Sequence, residues 1–188
     1  MVAAPNPRTW VNGEFVDDAK LNGINGIRDA LRFLLDPPRC KVRQTAAQSI
    51  PTGAWTPLTF PTEDYDNEAT AAYLSGTGMH DPASNPSRLT AQTAGSYLCI
   101  GIIYYATNSA GVRGAKFTIN GAVQPSSQTL VQASSTATRS TGVTNTNILA
   151  LSVGDYVELQ GFQDSGGALL TANGSDFGSL FIARWIGA

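Results

Sequence analysis

A single histidine, His80, is followed directly by Asp81, and the chain is rich in serine and threonine. Histidine, carboxylate and hydroxyl are the ingredients of nucleophilic catalysis, which needs a base within hydrogen-bond reach of its nucleophile. Adjacent residues rarely orient one another as a triad does, and no Gly-x-Ser-x-Gly turn is present to raise a serine above a sheet. His80, in Thr77-Gly78-Met79-His80-Asp81-Pro82, is therefore expected to be a solvated or inter-subunit loop residue. Glu63, Asp64, Asp66 and Glu68 form an acidic run. Hard oxygen ligands at alternate positions can hold calcium. The run lacks the glycine and distal glutamate of an EF-hand loop, so a solvated loop or a partner contact is the stronger expectation. One histidine with Cys40 and Cys99 far apart does not make a zinc site. Gly111 and Gly114 flank Arg113 without the Lys-Ser/Thr of a phosphate-binding loop. Paired carboxylates for glycoside hydrolysis are a three-dimensional property, and a chain this short is a poor host for a full saccharide cleft. No catalytic, cofactor-binding or metal residue is assigned, and the expectation is a protein that is not an enzyme and holds no cofactor, calcium being the minor alternative.

The charge balance points the same way. The net charge is -2, and charged residues make up 14% of the chain, against a usual value of about a quarter. Nucleic-acid binding normally shows as a basic face. Here the densest basic group is Arg39, Lys41 and Arg43, alternate residues of an extended segment, read as a solvated edge or subunit contact. A surface solvated by hydroxyls and amides suits a β-rich domain, or one partly buried against copies of itself. Met1 to Trp10 holds no apolar stretch of a signal peptide, and no run reaches the length of a membrane span. Assembly in a cytoplasm, with no membrane insertion and no nucleic-acid partner, is the resulting expectation. Two cysteines are too few for a secreted disulfide framework, and Cys99 sits in an apolar run as a small hydrophobe.

The elements that would position these residues fall into zones. Residues 1–15 form an irregular arm with Pro5, Pro7 and Gly13. Residues 16–36 read as a helix. Asp17 supplies the N-cap, Val16 and Leu21 occupy the positions of a hydrophobic staple, and Asp36-Pro37-Pro38 stops it. Ile24, Ile27, Leu31 and Leu34 are spaced as a coiled-coil seam, widened by Leu21 and Leu35. Gly23 and Gly26 each cost about 1 kcal/mol relative to alanine, so the helix needs a partner. The partner is its own β-domain, or two sister helices, or a neighbouring protein.

The remainder, 37–188, reads as strands. Lys41 to Arg43, Ile50 and Ala54 to Phe60 come first, and Gly95 to Ala106 is the strongest, carrying Tyr97, Ile100, Ile102, Ile103, Tyr104 and Tyr105. Residues 114–131 form a hairpin around Asn120-Gly121. Ile148 to Leu151, Tyr156 to Phe162 and Leu180 to Ile186 follow. Ser134 to Asn147 is polar, a long loop or a strand with two polar faces, and Tyr65 to Pro86 is irregular. About eight to ten short antiparallel strands without an intervening helix indicate a mainly β sandwich or jelly roll preceded by one α-helix. The aromatic residues Trp55, Phe60, Tyr97, Tyr104, Tyr105, Phe117, Phe162, Phe181 and Trp185 are expected in the core or a subunit seam. Arg8 and Trp10 lie on the arm, where a tryptophan is best explained by an intermolecular pocket.

Gly95-Ser96-Tyr97-Leu98-Cys99-Ile100 resembles the Gly-x-Tyr strand of the jelly roll shared by complement globular heads and tumour necrosis factor. Leu151-Ser152-Val153-Gly154-Asp155-Tyr156-Val157-Glu158-Leu159 is similar to that family's Leu-x-x-Gly-Asp-x-Val-x-Leu turn and strand. Ser175-Asp176-Phe177-Gly178-Ser179-Leu180-Phe181-Ile182 is similar to its closing strand, with the glycine displaced. The resemblance covers residues 39–188. It implies a homotrimer about a threefold axis, with Tyr97, Tyr104, Tyr156, Phe177 and Phe181 in the trimer core.

The N-terminal part resembles something else. Arg8-Thr9-Trp10-Val11-Asn12-Gly13-Glu14, Leu21-Asn22 and Ile27 to Pro38 are similar to the leader of actinobacterial phage virion proteins of the minor tail type. That implies attachment or oligomerisation through Arg8, Trp10, Leu21, Ile24, Ile27, Leu31 and Leu34, with residues 1–36 binding other virion proteins and 37–188 displayed. The expected role is a minor tail or tail-tip component touching the host surface, with host glycan as a partner. The alternatives are a capsid decoration or head-fibre trimer and, least favoured, a polysaccharide depolymerase.

Overall fold

The computed structural model describes Leu21 and residues 27–188, apart from Ala137 and Ser175. Its order is α1 (Ile27–Leu35), β1 (Arg39–Arg43), β2 (Ser49–Ile50), β3 (Thr56–Pro57), β4 (Thr62–Asp66), α2 (Asn67–Thr70), β5 (Arg88–Thr90), β6 (Gly95–Tyr105), β7 (Val112–Ile119), β8 (Ala122–Gln132), β9 (Thr141–Leu151), β10 (Tyr156–Gln163), β11 (Leu169–Leu170) and β12 (Leu180–Gly187). The first sheet runs β4-β1-β12-β6-β9 and the second β3-β10-β7-β8, with β5 also paired to β10. First and last strands are antiparallel neighbours, and partners far apart in sequence alternate between the two sheets, as in a jelly roll.

Period-two alternation builds the interior. β6 turns Tyr97, Cys99, Ile103 and Tyr105 inward, β10 turns Val157 and Leu159, and β7 turns Ala115 and Phe117. Phe181 of β12 lies between Phe117, 5.6 Å away, and Phe60, 6.1 Å away, joining the sheets by aromatic contact. At the corner where β9 passes β7 and β8, the buried Asn145 amide donates to the carbonyls of Ala115 and Ser127. The hairpin turns at Asn120 (φ 52°) and Gly121 (φ 79°), the paired left-handed conformation that matches the twist of the strands.

Several sequence expectations shift. The expected strand at 54–60 shrinks to Thr56–Pro57. The polar stretch 134–147 is not one long loop, since its second half is the start of the eleven-residue β9. Thr141, Val143 and Asn145 of that strand are buried, so only its other face is polar to solvent. The expectation of no helix within the strand region fails at α2, which the Asp66 side chain caps by accepting from the Glu68 amide at 3.2 Å. Of the expected helix, α1 is the described portion together with Leu21. Val16, Asp17, Gly23, Ile24 and Gly26 lie outside the described residues, as do Arg8 and Trp10.

Both thiols are buried, with Ala183 between them in register (Cys40–Ala183–Cys99). Burial pushes the Cys99 thiol up to about 12, and burial with Asp66 and Glu63 pushes Cys40 higher. Thiolate is the reactive form. A thiol reagent at about pH 8 should therefore label neither cysteine in the native protein and both in denaturant. Rapid native labelling would contradict this packing.

Candidate functional site

The first sheet presents an apolar surface on the side away from the second. Along β6, Leu98, Ile100, Ile102 and Tyr104 point outward, and each is half-buried. Register aligns Leu180 of β12 with Ile102, and Ile182 with Ile100. On the other flank Ile148 of β9, 60% exposed, stands opposite Leu98. Tyr104 packs against Phe177 at 5.4 Å, and Ile186 is 47% exposed at the opposite end. β6 is thus apolar on both faces, the pattern of a strand covered on both sides. Among the described residues, only one of those sides is covered.

The borders of this face are polar. The β1 column of Arg39, Lys41 and Arg43 runs along one side, in register with Arg184, Ile182 and Leu180. Asp64 of β4 takes Lys41 at 2.9 Å and Arg43 at 2.6 Å, and Asp36 takes Arg39 at 3.0 Å. Burial would raise the Asp64 carboxyl, but hydrogen bonds from Lys41 and Arg43 outweigh it and hold the group below its ordinary value. The basic triplet is therefore matched by acids, which leaves little field for a polyanion. A groove of about 480 Å³ lies at this border, between Lys41, Arg43 and Asp64 on one side and Asn173 and Phe177 on the other. On the far side, β9 presents Thr144 and Thr146 opposite Ile102 and Ile100.

α1 meets the domain near the end of β12. Phe33 is its one buried residue, packed edge-on against Trp185 with ring centroids 4.8 Å apart. The Trp185 indole N–H donates to the Ala94 carbonyl at 3.0 Å. The Asn67 amide ties the helix exit by donating to the Pro37 carbonyl at 2.9 Å, and Tyr73 donates to the Asp36 carbonyl at 3.0 Å. Among the described seam residues and their neighbour, Leu31 is 53% exposed, Leu34 67% and Leu35 82%, while Ile27 is half-buried. Leu21 is 42% exposed. The helix thus docks on its own domain through Phe33, which lies off the seam, and leaves Leu31 and Leu34 of the seam exposed among the described residues. Leu31→Asp should leave the β-domain folded, since that side chain touches little of it. Circular dichroism showing an unfolded domain would place Leu31 in the core instead.

The aromatic residues expected at a trimer core separate. Tyr104 and Phe177 lie on the outward side of the first sheet. Tyr97 and Phe181 do not, because both are completely covered within one chain, Tyr97 donating its hydroxyl proton to the Thr93 carbonyl at 2.7 Å. Tyr156 is on the outward side of the second sheet, under the Arg88 guanidinium at 4.0 Å. The outward residues Leu98, Ile100, Ile102, Ile148, Leu180 and Ile182 were read from sequence as strand residues and not as a subunit contact. The signal for them was the apolar run from Tyr97 to Tyr105, broken only by Gly101, where strict alternation would have marked a half-buried strand.

The residues considered for chemistry are spoken for by the fold. His80 is buried, not solvated as expected, and its two ring nitrogens meet the carbonyls of Arg88 at 2.9 Å and Phe60 at 2.8 Å. It ties loop to strand, while Asp81 turns away to accept from the amides of Ala83 and Ser84. The acidic run is not a solvated loop either. Asp66 and Glu68 are buried, Asp66 accepting from the His80 amide at 3.0 Å and Glu68 from the Ser75 and Thr93 hydroxyls. Burial raises the Asp66 carboxyl in spite of those amide bonds. Among the described residues no group of three or more His, Cys, Asp or Glu side chains is placed to hold a metal ion.

No protein-family model and no curated protein matches this sequence. Solved structures do. The globular domain of zebrafish complement 1qA protein superposes with a TM-score of 0.53 at 16% identity, covering 79% of this chain and 96% of that one. Murine APRIL superposes with a TM-score of 0.52 at 9% identity, covering 78% and 98%. At such identities the likeness establishes architecture, and the architecture is the jelly roll of complement globular heads and tumour necrosis factor relatives.

Proposed function

We propose that this chain is a non-enzymatic structural and display protein of a phage particle, assembled as a homotrimer through the outward face of its first sheet. The observation that carries the assembly is that face, where Leu98, Ile100, Ile102, Leu180 and Ile182 form adjoining apolar columns that no other described element covers. Contiguous exposed apolar surface of this kind marks an interaction site. A second copy is the occupant that the jelly-roll resemblance implies. The exposed seam of α1 supplies a second contact, either among the helices of the trimer or with a neighbouring virion protein. Trimeric presentation multiplies weak contacts into useful avidity, which suits a component that touches a host surface, its glycan included.

Multi-angle light scattering at micromolar concentration tests the assembly, and a monomer there would sink the trimer. Negative-stain imaging of particles labelled with antibody against residues 37–188 tests the location. Label at the tail tip supports a minor tail or tail-tip role. Label on the capsid makes the chain a head decoration protein, and no label on any particle removes the virion reading.

A further inference from the structure

The outward side of the second sheet carries a cation that has no anionic partner among the described residues. β7 sends Ala115 and Phe117 into the core, so Gly114, Lys116 and Thr118 face outward. Register sets Gln160 of β10 and Gln128 of β8 on either side of Lys116, and Phe162 and Leu130 on either side of Gly114. Trp55, from the segment preceding β3, lies over Gly114. A Cβ at Gly114 would stand 2.9 Å from the indole and 2.6 Å from Leu130, so the missing side chain is the space the ring occupies. Trp55 also contacts Phe162, with centroids 5.1 Å apart.

Lys116 is only 7% exposed, and its ammonium sits 4.3 Å from the centre of the Trp55 ring. Among the described residues it joins no ion pair and donates no hydrogen bond. Burial holds its pKa below the ordinary lysine value. The Nζ keeps some access to solvent, but a partly desolvated cation without an anion is unfavourable, and an aromatic ring offsets only part of that. The other clustered cations, Arg39, Lys41, Arg43 and Arg88, all have carboxylate partners. Lys116 instead is flanked by two amides able to donate or accept, beside an aromatic and aliphatic wall.

We propose that Lys116, with Gln128, Gln160 and Trp55, forms a binding site for an anionic saccharide, whose carboxylate or phosphate meets the ammonium while the sugar ring lies against the apolar wall. An anion completes the missing ion pair, amides suit sugar hydroxyls, and an indole edge with Phe162 and Leu130 suits the apolar face of a pyranose. The site rests on the display reading in one respect, that this face stays uncovered in the trimer.

The test titrates the full-length protein with glucuronic acid, glycerol phosphate and neutral glucose, followed by the Trp55 indole N–H signal in NMR and by calorimetry. Saturable shifts with either anion and none with glucose are expected, and the tighter anion names the source. Lys116→Met should weaken anion binding by about tenfold or more, and Lys116→Arg by much less, since it keeps the charge. The thermal midpoint of Lys116→Met should be unchanged or higher, because an unmatched cation has been removed. Equal response to glucose, no response to either anion, undiminished binding by Lys116→Met, or a lowered midpoint in that variant would each overturn the site. Light scattering on the same samples separates the readings: a trimer that ignores both anions refutes the site alone, and a monomer refutes the assembly.

Discussion

Phe181→Ala should lower the free energy of unfolding by about 3–5 kcal/mol, a large part of the whole stability of a domain this size. The side chain is completely buried and sits between Phe60 and Phe117, so it belongs to both sheets at once. Removing it loses the transfer energy of a ring and leaves a cavity that two rigid sheets can close only in part. Urea denaturation followed by far-ultraviolet circular dichroism measures this directly. Phe177→Ala is the internal comparison. That ring is half-buried, packed on Tyr104 outside the sandwich, and its loss from a single chain should cost much less. Equal costs for the two substitutions would mean that the core is drawn in the wrong place.

The second large effect is on assembly. Ile100→Asp should convert the proposed trimer into a folded monomer, with the mass from light scattering falling to that of one chain and the circular dichroism spectrum unchanged. Ile100 points away from the core and pairs across the strands with Ile182 in the middle of the apolar face. In a lone chain a carboxylate there remains hydrated and costs little. In an interface it must be stripped of water without a cation opposite it, at a cost of several kcal/mol per subunit. Threefold symmetry repeats that penalty in every subunit about one axis. A variant that stays trimeric would move the interface to another surface, and a variant that unfolds would show Ile100 to be part of the core.

Several features were legible in the residues themselves. Alternation in 114–119 and 156–162 marked strands, because side chains on a pleated backbone point to opposite faces in turn, and the β-branched and aromatic residues of 95–106 marked another. Asn120-Gly121 marked the hairpin, because both residues adopt a left-handed conformation that few others accept. Asp36-Pro37-Pro38 marked the end of α1, because proline removes a backbone donor. These are local properties, decided within a few residues.

Other features depended on partners distant in the chain. The acidic run 63–68 looked like one cluster, yet only tertiary pairing could send Asp64 outward to Lys41 and Arg43 while sealing Asp66 and Glu68 inside. His80 looked like a loop residue until the carbonyls of Phe60 and Arg88 closed on it. The aromatic set looked uniform, but β12 inserts between β1 and β6 and thereby buries Phe181, while Tyr104 stays on the outside. The sequence by itself determined that this is a β-rich domain with few charges and a helix before it, since pattern and composition act residue by residue. Tertiary structure alone decided which apolar face lies uncovered and which lysine lies unmatched among the described residues. Both depend on what stands opposite a side chain, and in an antiparallel jelly roll that neighbour comes from a strand far away in the chain.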